Sequence, residues 1–284
     1  MIIPVIVCLS LATIAYIFKM SLDKIKYLEK KLGNVLENNK VQDSSTVEAF
    51  PRVLSGIFEI HITIDTNGGY IFLIDYVKNS PRNMKIVYAA ANSASQPKGN
   101  NQLMISHFTR ETDDKYAIDI ANEMAEDMRK HEMKVIRVKV ESHGASGTPM
   151  TNYQFNVFSE YIRDRYSRED AEACRGQEAC HGDLYFEFHV KISRGSIRKI
   201  EEDLRGIEKH GVLIGVSYNM LGKSGKPLLT IRVNKTGFFG AERIKDSILN
   251  RMKELGYTFE GKIQQEFAIY DTNSEIDNGW LMDK

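Results

Sequence analysis

The sequence predicts an α+β protein in which two lobes, each with the element order β-α-β-β-α-β, follow an N-terminal membrane helix. Three observations predict this architecture: a strand pattern that occurs twice 128 positions apart, the same order of elements after each copy, and an uncharged N-terminal run. With 42% hydrophobic and 27% charged residues, the 284-residue chain can bury a substantial core. Its 38 basic and 38 acidic residues cancel, which excludes a general attraction to nucleic acid or anionic lipid.

Residues 1–20 are predicted to form a single-pass transmembrane anchor. Residues 2–18 carry no charge, and as a helix these 17 residues span about 26 Å, the lower limit for crossing a bilayer. Several lysines follow from Lys19 onward, so the positive-inside rule places the C-terminal region in the cytoplasm. A cleaved signal and a buried or interfacial helix are the alternatives, but no basic residue precedes the run and Phe18-Lys19-Met20 is a poor cleavage site.

Residues 21–50 are interpreted as a stalk helix followed by a linker. Apolar residues recur at spacings of three and four between Leu22 and Leu36, which is typical of an amphipathic helix. The stretch is too short for an autonomous coiled coil, so it is expected to continue the anchor, with weak self-association of two stalks as the alternative. Residues 38–50 are polar and weakly patterned, as in a linker.

The heptapeptide Phe58-Glu59-Ile60-His61-Ile62-Thr63-Ile64 has a counterpart in Phe186-Glu187-Phe188-His189-Val190-Lys191-Ile192. Both alternate apolar and polar residues, which predicts two half-buried strands. The apolar positions are expected to face a core, and the two histidines then lie on the opposite, polar faces. Neighbouring strands are expected to add further polar residues to those faces: Arg137, Lys139 and Glu141 in the first half, and Thr230, Arg232, Gln264 and Glu266 in the second. Two such faces turned toward each other would form a cleft with a histidine on each wall.

The first lobe is predicted to occupy residues 51–142. After the His61 strand, the pattern predicts an apolar segment from Tyr70 to Val77, strands at 84–91 and 102–108, an amphipathic helix around Ala117 to Met128, and a strand from Val135 to Glu141.

The second lobe, residues 184–284 with a C-terminal tail, repeats that order. A helix from Ile197 to Ile207, strands at 212–219 and 227–234, a helix from Ala241 to Met252 and a strand at 262–270 follow the His189 strand. The repetition indicates an internal duplication, and each copy has the order of a ferredoxin-like module. Residues 143–183 form an inter-lobe insertion whose role the sequence leaves open.

The motif His61-Ile62-Thr63-Ile64 resembles the His-x-Thr/Ser-x motif of the 2H phosphoesterases, which have two lobes with one motif each. The resemblance implies metal-independent cleavage of 2′,3′-cyclic phosphates or 2′,5′-linked nucleotides. His61 and His189 would then be the acid–base pair, and Thr63 and Lys191 would hold the phosphate. Lys191 departs from the family pattern, because a threonine or serine is expected at that position.

Three functions follow as alternatives: metal-free phosphodiester turnover, binding of a nucleotide or RNA-end phosphate without turnover, and a structural or protein-interaction role. The first two would use Arg137 and Arg232 as additional substrate-binding residues on the polar faces. No cofactor and no metal ion are expected, and the membrane is the other predicted partner, through residues 2–18.

Three further motifs have simpler explanations. The spacing of Cys174, Cys180 and His181 favours free loop thiols over a zinc site, which would need a distant fourth ligand such as His143 or His189. With Cys8 these are the chain's three cysteines, which suits a reducing compartment. The run Gly222-Lys223-Ser224-Gly225-Lys226 lacks the spacing of a phosphate loop and is predicted to be a basic hairpin turn. The lone Trp280 is expected to pin the tail to the core, with a stacking role for a base or sugar as the alternative.

Overall fold

The computed structural model describes residues 53–66, 69–90, 101–166, 184–204, 211–222, 225–277 and 281–283. The predicted anchor, stalk and linker, as well as Cys174, Cys180, His181 and Trp280, lie outside the described residues. Within the described ranges, no helix is long and apolar enough to cross a membrane.

The described chain alternates strands and helices, which confirms the predicted mixed α+β fold. In chain order the elements are β1 (Ser55–Ile64), α1 (Gly69–Asn79), β2 (Met84–Ala90), β3 (Gln102–Glu111), α2 (Asp114–Lys130), β4 (Val135–Ser146), α3 (Asn152–Tyr166), β5 (Tyr185–Ile192), α4 (Ile197–Leu204), β6 (Val212–Asn219), β7 (Leu228–Asn234), α5 (Phe238–Glu254), β8 (Phe259–Asp271) and β9 (Met282–Asp283). A 3-10 helix, Ser274–Asp277, lies between β8 and β9.

All the strands belong to one antiparallel sheet in the order β2-β3-β1-β4-β8-β5-β7-β6-β9. The two halves of the chain meet in the middle of this order, where β4 pairs with β8. They meet again at its ends, where Ala89 and Ala90 of β2 pair with Asn219 and Tyr218 of β6. Eight strands therefore close into a barrel. β9 pairs with the same edge of β6 as β2 does, at Leu213 and Ile214.

The apolar faces of the central strands pack against helices, as their alternation predicts. Phe58, Ile60 and Ile62 of β1 are fully buried, and α2 packs on β1, β3 and β4. In the second half, α5 packs on β5 and β7 in the corresponding way. Because successive side chains of a strand point to opposite faces, the residues between these apolar positions face the interior of the barrel.

The segment interpreted as an inter-lobe insertion is partly ordered secondary structure. Its first residues continue β4 to Ser146, and α3 follows. The rings of Phe155 and Phe158 in α3 lie 6.3 and 5.7 Å from the ring of Phe267 in β8, so this helix covers the strand that joins the two halves. Gly222 and Gly225 lie between the antiparallel strands β6 and β7, as expected of a hairpin turn.

Candidate functional site

The interior of the barrel contains a cavity of about 210 Å³ that is lined mostly by polar and charged residues. Alternate residues of five strands and one residue of the 3-10 helix provide most of its polar groups: Glu59, His61 and Thr63 of β1, Arg137, Lys139 and Glu141 of β4, Glu187 and His189 of β5, Thr230 and Arg232 of β7, Gln264 and Glu266 of β8, and Asp277. The same alternation that buries the apolar residues under the helices thus concentrates charge inside the sheet.

The structure brings most of the predicted site residues to this one cavity. His61, Thr63, Arg137, His189 and Arg232 all line it, and the two histidines occupy corresponding positions of β1 and β5. The five other polar residues expected on neighbouring strands also line it, namely Lys139, Glu141, Thr230, Gln264 and Glu266.

Lys191 is different from the other predicted phosphate-binding residues. It lies near the end of β5, its side chain is exposed, and it is not part of the cavity lining. The polar faces are also less open than a free sheet face would be, because the side chains of His61 and His189 are only 17% and 18% exposed. The barrel turns the two polar faces toward each other.

The imidazole of His61 lies between two glutamates. Its Nε2 atom is 3.0 Å from Glu141 Oε2 and 3.5 Å from Glu59 Oε1. Burial acts to lower the pKa of His61, but these two carboxylates outweigh burial and raise the pKa above its usual value. The two carboxylates therefore favour the protonated, imidazolium form of His61.

Both nitrogens of the His189 imidazole have hydrogen-bond partners. Nε2 lies 2.9 Å from Glu266 Oε2, and Nδ1 lies 3.0 Å from the hydroxyl of Thr230. Burial again acts to lower the pKa, but Glu266, with smaller effects of Glu187 and Glu141, raises the pKa of His189 to about 9.

A third histidine, His143, was not predicted as part of the site. Its Nε2 atom lies 3.0 Å from Glu59 Oε2 and 4.0 Å from Glu266 Oε1. The predicted strand ended at Glu141, although the period-two alternation that places Glu141 inside the barrel continues to His143. Extending that pattern by two residues would have found it.

The cations of the cavity are bound in a network of buried ion pairs. Arg137 holds Asp271 through two nitrogens, Nε at 2.9 Å and Nη2 at 2.6 Å. Lys139 Nζ lies 2.5 Å from Glu141 Oε1 and 2.6 Å from Glu187 Oε2. The third cation, Arg232, completes the network between the strands and the 3-10 helix.

The Nε atom of Arg232 donates a hydrogen bond of 2.7 Å to Glu187, and its Nη2 atom donates one of 2.5 Å to Asp277. Its guanidinium carbon lies 4.1 Å from the ring centroid of Tyr185, whose hydroxyl donates to Asp271. Burial acts to raise the pKa values of Glu187 and Asp277, but the neighbouring cations outweigh burial and lower each pKa to about 2. Both carboxylates are ionised throughout the physiological range.

The interior has more buried acids than fixed cations. Among the described residues, six buried carboxylates lie on or against the cavity (Glu59, Glu141, Glu187, Glu266, Asp271 and Asp277), together with three buried cations (Arg137, Lys139 and Arg232). The three histidines lie beside the carboxylates left without a fixed cation. The positive and negative charges of the site therefore balance when its three imidazoles carry protons or when another cation replaces those protons.

This balance predicts that the protein loses stability as the pH rises through about 9. Because the folded-state pKa of His189 is about 9 and its usual value is 6.5, its contribution is complete below pH 6.5 and is lost as the pH rises through 9. We expect a loss of up to about 3 kcal/mol in the free energy of unfolding from this residue. Urea unfolding of the wild type and of His189→Gln at a series of pH values, with a chelator present, measures this loss. An equally steep loss of stability in both proteins would show that His189 is not its cause.

Two sets of side chains in or beside the cavity could hold a metal ion, namely Glu59, His143 and Glu266, and Glu187, His189 and Glu266. The site thus offers charged donors, imidazoles and candidate metal ligands around one small cavity. Comparisons of the chain with models of protein families, with curated proteins and with solved structures give no match.

Proposed function

We propose that the barrel binds a small phosphorylated ligand in its interior, and that its two halves are copies of one ferredoxin-like module. One observation carries this proposal: His61 and His189 occupy corresponding strands of the two halves and line the same cavity. Each half contributes an element order of β-α-β-β-α-β and the same strand order, β4-β1-β3-β2 and β8-β5-β7-β6. Duplication explains why equivalent residues meet across the interior.

The size of the cavity supports a small ligand. Its 210 Å³ is below the range of about 300–1,000 Å³ that is usual for drug-sized ligands. A phosphate group fits in such a space, and the sugar and base of a nucleotide would remain at its mouth. The predicted partner, a nucleotide or an RNA end, would accordingly be held by its phosphate.

The donors of the cavity support phosphate as the bound group. Arg137 and Arg232 present guanidinium groups, which match phosphate geometry, and the imidazoles of His61 and His189 have raised pKa values and are donors when protonated. Because both guanidiniums already pair with carboxylates, the ligand competes with Asp271 or Asp277. We therefore expect an affinity that becomes measurable at millimolar ligand.

The experiment measures the melting temperature of the protein with a 2′,3′-cyclic nucleotide. The uncharged nucleoside is the matched control compound. The phosphorylated compound should stabilise the full-length protein by about 1.4 kcal/mol at ten times its Kd, and the nucleoside should not. Thr63→Val removes a buried hydroxyl of the cavity and should weaken binding several-fold. Lys191 lies outside the cavity lining, so Lys191→Ala should leave ligand binding unchanged. If neither ligand shifts the melting temperature, the structural or protein-interaction role takes the place of phosphate binding.

Metal-free turnover is the second candidate, because the two histidines could act as acid and base on one phosphate. A general base must be neutral, and the carboxylates around both imidazoles raise their pKa values. We therefore expect any such turnover to increase toward pH 9. Replacing either histidine by glutamine should lower the turnover rate by a similar factor, since acid and base act in one transition state.

A further inference from the structure

We propose that Glu59, His143, Glu266, His189 and Glu187 form a dinuclear divalent-metal site in which Glu266 bridges the two ions. The two candidate ligand sets each combine one imidazole with two carboxylates, and Glu266 belongs to both. This inference does not rest on the proposed phosphate ligand. It does exclude metal-free turnover by a His61–His189 pair, because His189 would be a ligand.

The ligand atoms of each set are close enough to bind one ion. All of them lie within 4.8 Å of one another. Two ligands on opposite sides of a first-row ion, with bonds of about 2.0–2.2 Å, are separated by about 4.4 Å. Side-chain movements of about 0.4 Å therefore suffice for coordination.

The two oxygens of Glu266 face different histidines. Oε2 lies 2.9 Å from His189 Nε2, and Oε1 lies 4.0 Å from His143 Nε2. A carboxylate that presents one oxygen to each of two sites is arranged to bridge two cations. Two-metal sites in proteins hold their ions about 3.5–4 Å apart, which such a bridge allows.

The orientation of His143 directs its Nε2 atom at the first position. This atom is buried, lies 3.0 Å from Glu59 Oε2 and 4.0 Å from Glu266 Oε1, and pairs with Glu59 when the imidazole is protonated. Ligand atoms 3.0 Å apart can bind one ion side by side with bonds of about 2.1 Å. A cation bound there would replace the imidazole proton in this contact.

Groups on the outer side of the ligands fix their orientation. Ser106 donates to Oε1 of Glu59, which leaves Oε2 facing His143. Thr230 contacts Nδ1 of His189, which leaves Nε2 facing Glu266. Supporting contacts of this kind to the non-coordinating atom are usual for metal ligands.

The two positions are not equivalent. At the second position, the Nζ atom of Lys139 lies 2.6 Å from Oε2 of Glu187, the oxygen that faces His189. A metal ion there meets this ammonium group, whereas the ion-pair contacts of His143 at the first position are with the carboxylates of Glu59 and Glu266. We expect the first position to fill at lower metal concentration than the second.

The donor set fits a divalent cation. Each position offers carboxylate oxygens, which suit Mn²⁺, and one imidazole nitrogen, which first-row divalent ions also bind. Two such ions would outweigh the excess of carboxylates in the interior and would make it attractive to a phosphate group. A bridged metal pair can also clamp the oxygens of a phosphoryl group.

The experiment is a titration of the full-length, chelator-treated protein with Mn²⁺, followed by calorimetry and electron paramagnetic resonance. We expect two ions per chain, bound in two steps, with an exchange-coupled signal after the second step. Glu266→Gln should abolish the coupled signal and weaken binding by at least tenfold. Glu260→Gln, on the exposed part of the same strand, should change neither quantity.

Thermal unfolding of metal-free Glu266→Gln shows whether this variant folds. If it does not, a second variant keeps the test valid. His143→Gln should reduce the stoichiometry from two ions to one and abolish the coupling. Binding of no ion, of two uncoupled ions, or of two ions in His143→Gln would overturn the proposal. The readout needs no phosphate ligand, so a failure here is distinct from a failure of phosphate binding.

Discussion

Replacing Arg137 by alanine is expected to lower the free energy of unfolding by about 3–5 kcal/mol, the scale for breaking a buried ion pair by removal of one partner. Arg137 is buried and holds Asp271 through two nitrogens, and its Nη2 atom lies 3.0 Å from Asp277 Oδ2. Burial acts to lower the pKa of Arg137, but Asp271 and Asp277 raise it well above its usual value, so the guanidinium keeps its charge at any accessible pH. Alanine would leave Asp271 buried with the hydroxyl of Tyr185 as a remaining donor.

Urea unfolding of the full-length protein, followed by circular dichroism, measures this loss. The control is Lys134→Ala, which removes a surface ion pair between the residue before β4 and Asp65, the residue after β1. Lys134 Nζ lies 2.9 Å from Asp65, but its side chain is 75% exposed, so we expect a loss of at most about 1 kcal/mol. Similar losses in the two variants would mean that the interior of the barrel is hydrated enough to screen its charges.

Replacing Phe267 by alanine is expected to destabilise the protein by about 3–5 kcal/mol, the usual cost of removing a large aromatic side chain from a core. Phe267 is 2% exposed, and its ring stacks on Phe186 with centroids 4.5 Å apart. It also contacts Phe155 and Phe158, so the variant would leave a cavity where α3 covers β8. Because β8 joins the two halves of the barrel, the loss should appear in one cooperative transition.

The matched control is Phe72→Ala on α1, where the aromatic side chain is 58% exposed. We expect a change within about 0.5 kcal/mol, as is usual for surface substitutions. Both variants are measured by thermal and urea unfolding of the same full-length chain. A loss below about 1 kcal/mol for Phe267→Ala would show that α3 does not form part of the core in solution.

The order of strands and helices could be predicted because it depends on local patterns. The alternation around His61 and His189 predicted β1 and β5, and the strand expected at 212–219 coincides with β6, Val212–Asn219. Strand ends were less accurate where polar residues continue the strand. The pattern predicts an end of β4 at Glu141, whereas the strand continues to Ser146, so the prediction omits His143. It omits the first residues of β8 for the same reason.

Two further site residues could not have been found from strand patterns. Asp271 ends β8 and Asp277 lies in the 3-10 helix, and both enter the site through ion pairs with residues more than a hundred positions earlier. No local periodicity marks a carboxylate that pairs across such a distance. Lys191 illustrates the converse, because its place in the motif predicted a phosphate contact, whereas the structure puts it at an exposed strand end.

By itself, the sequence determined which side chains share a face of each strand, since successive side chains necessarily alternate. It therefore determined that the two histidines belong to polar faces and that the isoleucines and phenylalanines between them belong to the core. Only the tertiary structure decided that the two polar faces enclose one cavity. That depends on the pairing of β4 with β8 and of β2 with β6, between residues such as Lys139 and Asp271. Those pairings are made by backbone hydrogen bonds, which every residue except proline can form and which leave no local pattern in the sequence.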